Sequence, residues 1–137
     1  MHWVSKYIGL PYEAGARGPE RVDCWGLACM VYAQEFGIVL PQYPGLSLEA
    51  KPVECSDAIK EGLANSWEET SAPFEGALVA MGERVAIHHI GIFVPSEVGR
   101  ILHCWETQRV VLDLVRVLRL RGLKTIKFYR HRQWPTS

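Results

Sequence analysis

The chain has 137 residues, of which 48% are hydrophobic and 22% are charged, and its formal net charge is zero. This composition excludes an intrinsically disordered chain and is typical of one globular domain, which we expect over residues 1–137. No apolar run approaches the length of a membrane span, and the N-terminus lacks a signal-peptide pattern, so we expect a protein that is cytoplasmic when synthesised.

Charge is distributed unevenly along the chain. All fifteen acidic residues lie in residues 1–113, whereas the segment after them carries basic residues and no acid. Such a segment either alternates its bases along a solvated strand or docks on an acidic partner or an anionic polymer. We expect no nucleic acid among the partners.

The first half of the chain predicts helices joined by loops. HWVSKYIG predicts a short helix that ends before Pro11, and a glycine- and proline-rich loop follows. Asp23 is a suitable N-cap and Gly37 a suitable terminator for a helix over residues 24–36, which is apolar on nearly every face and therefore central. A second, surface helix is predicted over residues 52–69.

The second half has the pattern of a β-sheet. Five short runs predict strands, and turn-forming residues separate several of them: GALVAM, AIHHIGIFV, RILHCWE, RVVLDLV and LKTIKFYRH. Helices followed by neighbouring strands predict an α+β domain, in which the buried helix lies against an antiparallel sheet.

Cys24 is the candidate nucleophile. It follows Asp23 at the junction of loop and helix, where unpaired backbone N–H groups and the helix dipole favour a thiolate. The same N–H groups can hold an oxyanion on an attacked carbonyl. The other cysteines fit the pattern of small buried hydrophobes, and without a CxxC pair they predict neither a metal site nor disulfides: Cys29, Cys55 and Cys104. No cofactor is expected.

A nucleophilic thiol needs a base, and adjacent histidines offer two candidates. Alternation sends His88 and His89 to opposite faces of a strand, with His88 on the face of the following isoleucines. His89 shares its face with Gly91, which leaves room for a close approach, for example by a helix end that carries a thiol. We therefore prefer His89 as the base and regard His88 as a structural histidine, although a register error of one residue reverses this choice.

His103 is the candidate for orienting that base. It lies in the next predicted strand, RILHCWE, and a polar ring in an apolar strand suits this role. An ordinary core histidine is the alternative. Glu106 is a second candidate orienter, whereas His2 and His131 have no supporting context.

The ordered set of motifs resembles the NlpC family of bacterial and phage cysteine peptidases. YIGLPYEAGARGPERVDCWGL, EGALVAM, HHIGIFV and ILHCWE occur in the family's order and with about its spacing over most of the chain. The resemblance implies a minimal papain-like fold, and it implies cleavage of peptidoglycan peptide stems, near D-glutamate and a diamino acid.

The resemblance also assigns roles to individual residues. It implies Cys24 as the nucleophile, His89 as the base and His103 as the third, polar member of a triad. Tyr12, in PYEAG, is implied to lie beside the nucleophile and help to hold substrate or the oxyanion. Asp23 is implied to bind a free α-amine of the substrate peptide.

Trp25 departs from the pattern of many cell-wall members. They have a small serine at this position, which contributes to recognition of the peptide's amino end, whereas DCWGL resembles the phage tail branch of the family. From its position, Trp25 is expected to bind substrate together with Tyr12 and Asp23. We therefore expect a phage tail-associated peptidase that reaches the cell wall in a virion or after lysis, with phage tail proteins as partners. The alternatives are a cysteine amidase or acyltransferase with another substrate, and a non-catalytic tail-assembly protein on the same fold.

Overall fold

The computed structural model describes residues 2–83, 86–106 and 108–134, except for the side chain of His2. A short 3-10 helix opens this part of the chain, and three α-helices and six strands follow. In chain order the elements are the 3-10 helix His2–Lys6, α1 Cys24–Val31, α2 Pro52–Ser66, β1 Trp67–Thr70, β2 Leu78–Glu83, β3 Ala86–Val94, β4 Arg100–Cys104, β5 Val110–Leu114, α3 Val115–Leu120 and β6 Thr125–His131.

The strands form one antiparallel sheet in the order β1-β6-β2-β3-β4-β5. One face packs against α1 and the other carries a smaller apolar cluster that includes Leu118 of α3. The predicted α+β class, with the buried helix against an antiparallel sheet, is confirmed. Within the described ranges, no helix is both long enough and apolar enough to cross a membrane.

Helix α1 forms where the sequence predicts it. The side chain of Asp23 caps its first turn, and seven of its eight residues are buried. The helix continues into a π-helical turn, Tyr32–Phe36, and ends at Gly37, whose φ of 68° is left-handed. Helix α1 is apolar on nearly every face because it packs inside the core.

Two predicted elements differ from the structure. Helix α2 ends at Ser66, and Trp67–Thr70 forms the edge strand β1, which pairs with β6. Residues 115–120 form α3, not a solvated strand, because Leu118 is buried there in the cluster on the far face of the sheet. In both segments tertiary packing decides between helix and strand.

The loop before α1 packs directly on the first turn of the helix. A Cβ on Gly26 would lie 2.0 Å from the carbonyl oxygen of Ala16, so only glycine permits this approach. Isolated bridges pair Val22 with Tyr12 and with Arg17. The loop is thereby fixed beside Cys24.

Candidate active site

Three polar side chains form a hydrogen-bonded row across β3, β4 and β5. His89 Nε2 lies 2.8 Å from His103 Nδ1, and His103 Nε2 lies 2.9 Å from Oδ2 of Asp113. The sheet register explains this row, because His103 is opposite Gly91 on β3 and Val111 on β5. His89 and Asp113 are therefore its diagonal neighbours on the same face.

Gly91 makes room for strand β4. A Cβ on Gly91 would lie 2.5 Å from Cγ2 of Ile101 and 3.2 Å from Cβ of His103. The close approach predicted at this glycine is therefore present, but the neighbouring strand makes it and not a helix end. Glycine at this position lets the His103 side chain lie across β3 toward His89.

A β-bulge separates the two adjacent histidines. Met81 pairs with His89 whereas Gly82 pairs with Ile87, so His88 is the additional residue. His88 is exposed and His89 is 5% exposed. Strict alternation had placed His88 on the face of the buried isoleucines that follow, and the bulge overturns that placement. His88 is thus an exposed histidine, as one of the two expected possibilities, and the preference for His89 as the base stays a prediction.

The thiol of Cys24 lies close to the backbone of β3. Cys24 is the first residue of α1, and the backbone N–H of Ile90 is near enough to its sulfur to act against the rise in the pKa of the thiol. That N–H belongs to the peptide that directly follows His89. The last pair between β3 and β4 is Gly91 with His103, so the sulfur lies where the two strands stop pairing.

Burial controls the protonation of the thiol and the imidazole. Cys24 is 1% exposed, and burial, followed by the carboxylates of Glu49 and Asp23, raises the pKa of its thiol well above the usual value. Burial, and then the neighbouring His103, lower the pKa of His89 to about 3. At neutral pH both groups are therefore neutral. The expectation that the helix N-terminus favours a thiolate stays a prediction, and burial of Cys24 acts against it.

Asp23 is buried and fully engaged in hydrogen bonds. Its Oδ1 accepts the N–H of Gly26 at 2.7 Å, and its Oδ2 accepts the N–H of Gly15 at 2.9 Å. Nη1 of Arg17 lies 2.9 and 3.0 Å from the two oxygens. The predicted helix cap is confirmed. A substrate amine would have to displace these partners, and that role of Asp23 stays a prediction.

Tyr12 and Glu49 join two loops beside the thiol. The Tyr12 hydroxyl donates to Oε1 of Glu49 at 2.8 Å, and the Ser47 hydroxyl donates to the same oxygen at 3.0 Å. Burial, and then the bond to Glu49, raise the pKa of Tyr12, so its hydroxyl stays a proton donor. Sequence patterns did not single out Glu49, which reaches the site only through the fold of its loop.

The sequence matches the NlpC/P60 family over residues 9–124, which include every residue of this site. The chain belongs to the NlpC/P60 family. Its fold is similar to the crystal structure of the NlpC/p60 domain of the peptidoglycan hydrolase SagA, with a TM-score of 0.63 and 21% identity, over 92% of this chain and 90% of that chain. No curated protein matches the chain. The resemblance inferred from the four motifs is thus confirmed at the level of the family and the fold.

The NlpC/P60 site borders a cavity of about 430 Å³. Two carboxylates, from Glu49 and Glu106, and an imidazole and aromatic wall formed by His88, His89 and Trp105 line it. The cavity thus combines an acidic edge with flat rings.

Trp105 packs on His89 in this NlpC/P60 domain. Its ring stacks on the His89 ring, with centroids 5.0 Å apart and an interplanar angle of 10°. Its indole N–H donates to Oδ2 of Asp113 at 3.3 Å, and the guanidinium of Arg121 lies 5.1 Å from its ring centroid. Neither Trp105 nor Arg121 was singled out by sequence motifs.

Trp25 packs away from the cavity. It is 3% exposed, its indole N–H donates to the carbonyl of Pro41 at 2.8 Å, and its ring lies 5.6 Å from that of Tyr43. These contacts fix the segment after α1. A role of Trp25 in substrate binding stays a prediction that its contacts do not support.

Asp113, and not Glu106, is the carboxylate bonded to His103. The available sequence signal was a lone acid in the apolar run RVVLDLV, but only the pairing register of β5 shows that this acid lies next to His103.

His131 lies outside the site and packs edge-on against Trp67. The remaining cysteines are buried, as predicted: Cys29, Cys55 and Cys104. Among the described residues, no cluster of three or more His, Cys, Asp or Glu side chains could hold a metal ion.

Proposed function

We propose that this NlpC/P60 protein is a cysteine peptidase that hydrolyses bonds in the peptide stem of bacterial peptidoglycan. The observation that carries the proposal is the 2.8 Å contact between His89 and His103, in an NlpC/P60 domain whose Cys24 begins α1 near the backbone of Ile90, the residue that follows His89. A thiol, a base and an orienting group in this order are the requirements of nucleophilic acyl transfer.

The first step is attack by the thiol. His89 Nε2 is engaged by His103, so Nδ1 is the ring nitrogen that takes the proton from Cys24. The sulfur then bonds to the carbonyl carbon of the scissile peptide. The N–H groups of the first helical turn, together with the Tyr12 hydroxyl after its release from Glu49, hold the oxyanion.

The second step releases the amine and regenerates the enzyme. The His89 imidazolium gives its proton to the leaving nitrogen as the C–N bond breaks, which leaves a thioester on Cys24. His89 then deprotonates a water molecule that attacks the thioester, and the sulfur leaves as a thiol. Proton transfer between a neutral thiol and a neutral imidazole is consistent with the protonation of the closed site.

Substrate binding has to open the site, because the Cys24 thiol is only 1% exposed. The hydrogen bond between Tyr12 and Glu49 joins the two loops beside the thiol and is the contact that opens. Glu49 and Glu106 line the cavity, and we assign them as the carboxylates that a substrate amine contacts there. Asp23 is less accessible because Arg17 occupies both its oxygens.

We further propose that the peptidase acts at the cell wall as a phage tail-associated component, delivered in a virion or released by lysis. The support is the sequence DCWGL, in which tryptophan follows the nucleophile. A non-catalytic tail-assembly role is the alternative, and the presence of all three residues of the expected triad, Cys24, His89 and His103, argues against it. An amidase or acyltransferase would use the same residues on another substrate.

The test is hydrolysis of purified peptidoglycan, followed by chromatography of the released muropeptides. Wild type is expected to release them, Cys24→Ala to release none, and Cys29→Ala, on the same helix, to retain activity. Thermal melting verifies that both variants fold. Peptidoglycan left intact by the wild type, combined with co-purification with tail proteins, would establish the non-catalytic alternative.

A further inference from the structure

We propose that Asp113 is a positioning residue that selects which ring nitrogen of His103, and through it of His89, carries the proton. The inference rests on the proposed function and adds Asp113 as a fourth residue to the proposed triad of Cys24, His89 and His103. Asp113 lies on β5, two strands from His89, and accepts its bond from His103 Nε2 at 2.9 Å. Its side chain is 26% exposed, whereas the ring that it contacts is fully buried.

The hydrogen-bond inventory of the row permits one arrangement of protons when the carboxylate is ionised. A carboxylate only accepts, so His103 Nε2 must carry a proton. A neutral imidazole has one N–H, and His103 Nδ1 is therefore an acceptor. His89 Nε2, 2.8 Å away, must then be the donor. The lone pair of His89 is left on Nδ1, where the proposed mechanism needs a base.

The arrangement requires a neutral His103. Burial lowers the pKa of His103, the hydrogen bond and charge of Asp113 raise it, and the charge of Arg121 lowers it again. The charged or titratable groups that face this ring are Asp113 from β5, His89 from β3 and Arg121 after α3. Arg121 thus opposes full protonation of the ring, while Asp113 fixes its tautomer.

A second hydrogen bond, from Trp105, holds the Asp113 carboxylate in place. The indole N–H of Trp105 donates to the same Oδ2 that faces His103, and the Trp105 ring stacks on His89. Asp113 and Trp105 therefore orient both imidazole rings from two directions. Such partners behind a reacting group commonly change activity roughly ten- to hundredfold when they are lost.

The first test is ¹⁵N NMR of the histidine rings in labelled protein at neutral pH. In the wild type we expect the proton on Nε2 of both His89 and His103. In Asp113→Asn we expect both tautomers, because an amide can donate as well as accept. Asp113→Glu should restore the single tautomer. Glu97→Gln, an exposed change in the turn at the far end of β3 and β4, is the control.

The second test is the pH profile of muropeptide hydrolysis. Asp113→Asn should lower kcat/KM roughly ten- to hundredfold, in line with other partners of catalytic groups. Its acid limb should move to lower pH, because the carboxylate raises the pKa of His103. Asp113→Glu should recover part of the rate.

The outcomes separate this inference from the proposed function. An inactive wild type would refute the proposed function, and the ring NMR would still decide the tautomers. An active wild type whose Asp113→Asn variant keeps the Nε2 protons and the same pH profile would overturn the inference alone. A folded Asp113→Asn variant with mixed tautomers, lower activity and a shifted acid limb would establish it.

Discussion

Glu49 lies close enough to Cys24 for its carboxylate to raise the pKa of the thiol. The same carboxylate accepts the hydroxyl of Tyr12, and burial raises its own pKa. The Glu49 side chain thus acts on both Tyr12, the candidate oxyanion donor, and Cys24, the candidate nucleophile. Its charge opposes formation of the thiolate while the site is closed.

Replacing Glu49 by glutamine is expected to make Cys24 more reactive toward iodoacetamide. The amide keeps an oxygen for Tyr12 but removes the negative charge, so the pKa of the thiol falls. A fall of one unit increases the thiolate population up to about tenfold below the pKa. Alkylation rates between pH 7 and 10, measured by peptide mass spectrometry, should be higher in Glu49→Gln than in the wild type at each pH. Glu54→Gln, exposed on α2, should match the wild type, and unchanged or lower rates in Glu49→Gln would contradict the prediction.

The role of His103 predicts a graded loss of hydrolysis. His103→Ala removes the acceptor of the His89 Nε2 proton and should lower kcat/KM by about two to three orders of magnitude. His103→Asn should lose less, because its amide oxygen can accept that proton. His131→Gln is the matched control, since His131 is buried but outside the site. Equal losses in the two His103 variants, with unchanged melting, would show that His103 does not orient the base.

Most of the fold could be predicted from local pattern. The cap at Asp23, the terminator at Gly37 and the alternating runs predicted α1 and five strands correctly, since each depends on nearby residues. Edge strand β1 and helix α3 could not be predicted in this way. Trp67 becomes a strand residue because β6 pairs with it, and residues 115–120 become helical because Leu118 is buried.

Only those residues of the candidate site that lie in sequence motifs could be predicted. Cys24, His89 and His103 occur in recognisable sequence contexts, and the structure joins the two histidines by a contact of 2.8 Å. Asp113 depends on a diagonal contact across two strands, so it requires the sheet register. Arg17 depends on the close approach of its loop to α1, which no periodicity encodes.

The buried ion pair between Arg17 and Asp23 predicts a large effect on stability. Their side chains are 12% and 1% exposed, and Arg17→Ala would leave the carboxylate without its cation. We expect a loss of about 3 kcal/mol in the free energy of unfolding, measured with urea. Arg21→Ala removes an exposed pair with Glu13 at 3.7 Å and should cost less than about 1 kcal/mol. Equal losses in the two variants would refute the structural importance of the buried pair.

Burial of neutral histidine predicts that stability falls as the solution is acidified. Burial lowers the pKa of His89 from 6.5 to about 3, so between these values the unfolded chain binds more protons than the folded one. The stability is complete above pH 6.5 and declines by at most roughly 1.4 kcal/mol per pH unit below it. Urea unfolding at pH 7 and pH 5 should show this loss in the wild type and a smaller one in His89→Gln. His88→Gln changes an exposed ring and should keep the wild-type difference. A wild type equally stable at both pH values would contradict the prediction, because protonation of a buried His89 must cost free energy in the folded state.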